Sequence, residues 1–163
     1  METMVVMALL AALTLMAAPT WSDYLERQNL KAAAENVKGH LHWLRSEAIQ
    51  RNKSVFIRFV PGTSWCYGMS EDGSGACHCA LSPQNCTVGG VVRKTSGDEF
   101  TKTRLTSTTL IGDQSGFEPT RGLALSAGTI LLQSSSGHNV TIELNPAGRI
   151  KACSSTLPPY SPC

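Results

Sequence analysis

No cysteine precedes Cys66, and no lysine or arginine precedes Arg27. The first absence sets the six cysteines apart from the apolar segment at the front of the chain. Their placement downstream of it suggests an exported, oxidised domain. The second absence counts against a secretory signal, which opens with positive charge. Charged residues make up only 16% of the chain, and the net charge of +2 is too small to argue for nucleic acid by itself. Aromatics are few, at 6%. There is no Ser-His-Asp order, no phosphate-binding glycine loop and no paired-carboxylate pattern, so catalysis is not expected and the chain reads as a non-enzyme. His40, His42, His78 and His138 form no spaced set of metal ligands, and no cofactor is implied.

What is present at the front is METMVVMALLAALTLMAAPTW, apolar from Met4 to Ala18 except for Thr14. It has three readings. A cleaved signal would use Ala17-Ala18, with Met16 a poor neighbour and Glu2 where a cation belongs. An ordinary membrane anchor needs about 20 apolar residues, more than this run has. The third is a helix that lies first in a membrane and later in a protein assembly. Glu2 points to the third, because a lone carboxylate among apolar residues needs a partner charge.

Helical spacing continues behind the run. Pro19 is expected to kink or restart the helix. Leu30, Ala33, Val37, Leu41, Leu44 and Ala48 then fall three or four apart, one stripe of an amphipathic helix. Glu26, Arg27, Lys31, Glu35, Lys38 and Arg45 are assigned to the opposite face. The helix should stop near Arg51-Asn52. Strands follow as a block: Ser54–Val60, Trp65–Met69, short candidates in VGGVVRK and STTLI, then Thr129–Ser134, Val140–Asn145 and Arg149–Cys153. The stretch EDGSGACHCALSPQNC reads as a loop. A helix first and strands after is an α+β architecture, a long helix packed on antiparallel sheet. Residues 1–21 form the hydrophobic segment. Residues 22–163 form the globular domain, with its rear helix at 22–52 and its β-rich part at 53–163.

The stretch from Glu2 through LRSEAIQRNKSVFI resembles the N-terminal region of type IV pilin-like proteins, and more narrowly the GspH/FimT group of minor pilins and pseudopilins. FEPTRGLAL, the final hairpin and NPAGRIKAC are similar to the group's C-terminal sheet. The family pattern places a basic leader ending in Gly, then Phe, before the glutamate. Those residues are not in this sequence, so no processing site and no methylated residue is assigned. The resemblance implies that Glu2 is an assembly contact, meeting the N-terminal amine of a neighbouring subunit. Its partners would be other pilin subunits, and the inner membrane before assembly. The location implied is the bacterial inner membrane, single-pass, with the domain in the periplasm, and then a pilus or pseudopilus.

Cys66, Cys77, Cys79 and Cys86 lie in one strand-loop segment. Cys77-His78-Cys79 raises zinc, but C-x-C is not the usual spacing and no second tight pair follows. Two local disulfides are expected there, with pairing open. Cys153–Cys163 is the preferred third, because the proline-rich tail otherwise has no anchor. Arg149 and Lys151 are two apart on a strand and so share a face. FimT proteins of naturally competent bacteria bind DNA through a C-terminal Gly-Arg-x-Arg motif, and GRIK differs from it by Lys151. Arg121 is a further candidate, with Arg93, Lys94, Lys102 and Arg104 adding charge if they share that face. The expected function is a structural subunit of a type IV pilus or type II secretion pseudopilus. The alternative is a minor pilin that binds DNA non-specifically for uptake. A small secreted disulfide-rich eukaryotic domain is a third reading, opposed by the acidic front.

Overall fold

The computed structural model describes residues 2–73, 77–81 and 85–163. Ahead of Trp21, only the side chains of Met4, Val6 and Met7 are described. One helix, α1 (Glu2–Arg51), runs unbroken through Pro19, so no restart occurs there. Its stripe of Leu30, Ala33, Val37, Leu41, Leu44 and Ala48 is fully buried. Gly39 faces open solvent and interrupts nothing. Asn52 ends the helix in the left-handed region at φ 52°, and the Lys53 amide donates to the Ala48 carbonyl at 3.2 Å. An asparagine tolerates that conformation where most side chains do not.

Ten strands follow. In one four-stranded antiparallel sheet, β1 (Val55–Val60) pairs with β2 (Cys66–Ser70) on one side. On the other it pairs with β7 (Gln114–Phe117). The far edge of β2 carries β5 (Lys94–Ser96). A small hairpin, β3 (Thr87–Val88) and β4 (Val91–Val92), precedes β5. In the second sheet the order is β10 (Ile150–Cys153), β9 (Asn139–Leu144), β8 (Gly128–Ser134) and β6 (Thr103–Thr108). The rear half of α1 packs on both sheets.

Alternation places the core. Val55, Ile57 and Phe59 of β1 point inward, as do Ile130 and Leu132 of β8 and Val140, Ile142 and Leu144 of β9. Trp65 is buried against Phe100 and Tyr67, with ring centroids 5.8 and 6.2 Å away. Its indole N–H donates to the Thr103 carbonyl at 2.9 Å, so the buried polar atom is satisfied. One expectation needs correction, and one strand was not expected. The strand expected at STTLI begins earlier, as β6, and ends at Thr108. Gln114–Phe117 forms a strand although QSGF carries little β-propensity, because it completes the sheet beside β1.

Candidate assembly and surface sites

The helix is gripped where it meets the second sheet. Glu26, expected opposite the apolar stripe, is buried, only 8% exposed. Lys102 Nζ donates to Glu26 Oε1 at 2.8 Å and to Ser22 Oγ at 3.0 Å. The Ser136 amide and Ser135 hydroxyl, in the β8–β9 turn, donate to Glu26 Oε2 at 3.0 and 3.2 Å. The Lys102 hydrogen bond leads these in holding the Glu26 carboxyl down at about 2, against desolvation that pushes the other way. Beside it, His138 Nε2 lies 3.3 Å from Asp23 Oδ1. Asp23 also accepts from Arg27 at 2.8 Å, the main cause of its lowered pKa. Asn29 donates to Thr101 Oγ1 at 2.9 Å. The signal for this grip was spacing: Glu26 stands four before Leu30, on the buried stripe.

In front of the grip, the described side chains of α1 are exposed. Met4 and Met7 are 79% and 73% exposed, and the exposed rings of Trp21 and Tyr24 lie 5.9 Å apart. Among the described residues, no helix is long and apolar enough to cross a membrane. Glu2 lies within α1, and its side chain is outside the described residues.

The structure joins Cys66 to Cys79, Cys77 to Cys86, and Cys153 to Cys163. The first two bonds lay Cys77, Cys79 and Cys86 against the outer face of β2. At Gly68 a Cβ would stand 2.6 Å from Cys77 Sγ, so the close approach requires glycine. Cys77 and Cys79 thus belong to different bridges, and neither offers zinc a thiolate. The third bond returns the tail to β10, with Tyr160 donating to Glu35 Oε1 at 2.9 Å. Glu143 lies near Cys153 and Cys163, but those two sulfurs are bonded to each other.

Arg149 and Lys151 are both exposed and line one shallow cleft with Glu143 and Asn145. Glu143 is the direct cross-strand neighbour of Lys151. The turn bearing Arg121 packs on the turn before Arg149, where the Ala124 amide donates to the Pro146 carbonyl at 3.1 Å. The other basic residues lie elsewhere. Arg93 sits over Trp43, 5.1 Å from the ring centroid, with Lys94 beside it. Lys102 is in the helix grip. Arg104 donates to Gln133 on β8, at the opposite edge of the sheet from β10.

The family model of type II transport protein GspH matches residues 33–148, well over half of the chain. No curated protein matches the chain by sequence. Two crystal structures of the type IV minor pilin FimU of Pseudomonas aeruginosa (strain PAO1) have a similar fold. The one in space group P65 is 17% identical, with 81% of this chain and 98% of that one covered, at a TM-score of 0.52. The one in space group P21 is 18% identical, with 78% and 90% covered, again at 0.52. At such identity the likeness speaks for the fold. With the family match spanning most of the rear helix and nearly all of the strands, the chain belongs to the GspH family, the pilin-like minor pilins and pseudopilins of type IV pilus and type II secretion kind.

Proposed function

We propose that this subunit joins a helical fibre through the front half of α1, with Glu2 as the assembly contact and the β-rich domain displayed outside. The observation that carries this reading is the apolar front of α1, where the described side chains of Met4, Val6 and Met7 are exposed. Before assembly, such a segment would rest in the inner membrane, with the domain in the periplasm. A carboxylate there costs roughly 2.5–3.5 kcal/mol on insertion scales, and a neighbour's ammonium offsets part of it while setting register. Glu2→Leu separates the two roles. The variant should still fractionate with membranes and should drop out of sheared fibres. If it enters fibres as well as the parent does, Glu2 is not the assembly contact. Deleting the gene distinguishes the machines: loss of surface fibres marks a pilus, and loss of secreted protein marks a pseudopilus.

A second reading, DNA capture, draws on one arrangement. Arg149, just ahead of β10, and Lys151 on β10 are exposed and line one cleft, with the Arg121 turn packed beside them. Binding there would be through phosphates and independent of sequence.

A further inference from the structure

We infer that the open edge of the strand running from Val91 to Ser96 is a docking site for an extended, acid-bearing segment of a partner chain. The residues of β4 and β5 are almost contiguous, interrupted only by Arg93. Gly89 and Gly90, at φ 61° and 77°, make the tight turn that feeds this strand. The Arg93 amide donates to the Cys86 carbonyl at 2.8 Å, and the Arg93 carbonyl accepts from Met69 at 2.9 Å. The Gly97 amide donates to the Trp65 carbonyl at 2.7 Å. These bonds turn residues 93 and 97, and by alternation 91 and 95, toward β3 and β2. The Ser96 carbonyl accepts the first bond of the 3-10 turn Gly97–Glu99, whereas the N–H and C=O groups of Val92 and Lys94 and the Ser96 N–H point off the sheet. Among the described residues none of these groups has a hydrogen-bond partner. The free edge is about 20 Å long.

This edge does not face bare solvent. It borders a cleft of about 210 Å³ against α1, walled by His40 and Trp43 with Met69 below. An added strand would lie there and take up the open backbone groups. Charge selects the occupant. Arg93 and Lys94 line the cleft, and neither is in an ion pair among the described residues. A lysine on an edge opposes pairing with neutral or basic strands. It admits a strand whose carboxylates stand across from it. Exposed Val91 and Val92 beside the cations add an apolar end to the same edge. The fitting segment is therefore extended, with an acid two positions from an apolar residue. The site stands apart from fibre membership, because peptide binding tests the edge and not assembly.

The probe is a short synthetic peptide alternating glutamate with valine, added to the full chain in nonionic detergent. Amide hydrogen exchange followed by NMR reads each residue. The Val92, Lys94 and Ser96 amides should become protected, and their neighbours Arg93 and Thr95 should change little. A peptide with lysine in place of glutamate should bind about tenfold more weakly. Lys94→Pro should abolish protection while keeping the fold, since its N–H points off the edge. Should that variant not fold, Arg93→Glu with Lys94→Glu serves instead and should reverse the preference between the two peptides. Absence of protection at the three amides overturns the proposal, as does equal binding of the lysine peptide. Concentration-dependent protection without peptide would assign the edge to a second copy of this chain and overturn it too.

Discussion

Lys102 and Glu26, 76 residues apart, meet at 2.8 Å where the helix comes against the second sheet. Lys102 is held at φ 62°, a conformation that costs a non-glycine residue about 1–2 kcal/mol. The contact to Glu26 and Ser22 offsets that cost and pins the domain to its helix. Lys102→Met should lower stability by about 1–3 kcal/mol, as expected for a hydrogen bond to a charged group. It should also speed amide exchange in the helix near Glu26. Chemical denaturation and hydrogen exchange check both.

The same pair predicts an acid dependence. The Glu26 carboxyl is held at about 2, below its ordinary value of 4.5. As pH falls between those values, the unfolded chain takes up the proton before the folded one does. The stabilisation is therefore full above about pH 4.5 and is lost on acidification toward pH 2. Glu26→Gln should flatten the stability profile in that window. An unchanged slope would remove Glu26 from the account.

His40 adds a dependence at milder pH. Its Nδ1 lies 2.7 Å from the Tyr67 hydroxyl, which donates to Asn36 Oδ1. Burial, then the nearby Arg93 charge, lower the His40 pKa from 6.5, with Glu99 opposing. Below about pH 6.5 the unfolded chain thus takes up this proton more readily than the folded protein does. Stability should fall as pH drops below about 6.5, and His40→Gln should remove that slope. Denaturant titrations from pH 7.5 to 5 measure it.

The rear of α1 was legible because a long apolar stripe has one period and one interpretation. Glu26 was misplaced because a carboxylate reads as a surface residue, and its partner Lys102 is remote in sequence. The main hairpins were legible from alternating β-formers. Gln114–Phe117 was not, since its strand exists only by pairing with β1. The pairing among Cys66, Cys77, Cys79 and Cys86 was not legible either, because separations this short leave more than one set of partners within reach. Nor was the open edge at Val92, Lys94 and Ser96. A sequence can suggest a strand, but whether that strand is central or terminal depends on sheet order.

The Cys153–Cys163 bridge closes a short loop over a proline-rich tail. The tail returns to the sheet through Ser154, whose amide donates to the Ser161 carbonyl at 3.0 Å, and through the buried side chain of Leu157. Cys163→Ser with Cys153→Ser should cost about 2–4 kcal/mol. At roughly 2–4 °C per kcal/mol, the melting temperature should fall roughly 5–15 °C. Faster exchange should be confined to the amides of Ser154, Leu157 and Tyr160. Loss of protection throughout the second sheet would mean that the bridge supports more than the tail.

DNA capture makes a prediction in which Glu143 is as informative as the basic residues. Arg149 and Lys151 present two cations, but Glu143 pairs across the strands with Lys151 and puts a negative charge where a phosphate would sit. Two phosphate contacts imply a log–log salt slope of about −1.8, so affinity should fall about twelvefold between 50 and 200 mM salt. Arg149→Ala with Lys151→Ala should abolish that slope and the binding at low salt. Glu143→Gln should do the reverse and tighten binding, because removing the local repulsion leaves both cations free for phosphate. Gel-shift assays of the full chain in nonionic detergent, on duplexes of unrelated sequence, test the three together. No binding by the parent at low salt rules out DNA capture at this face. If the parent binds and Glu143→Gln has no effect while Lys102→Met weakens binding, the contact lies at the helix grip and not on β10.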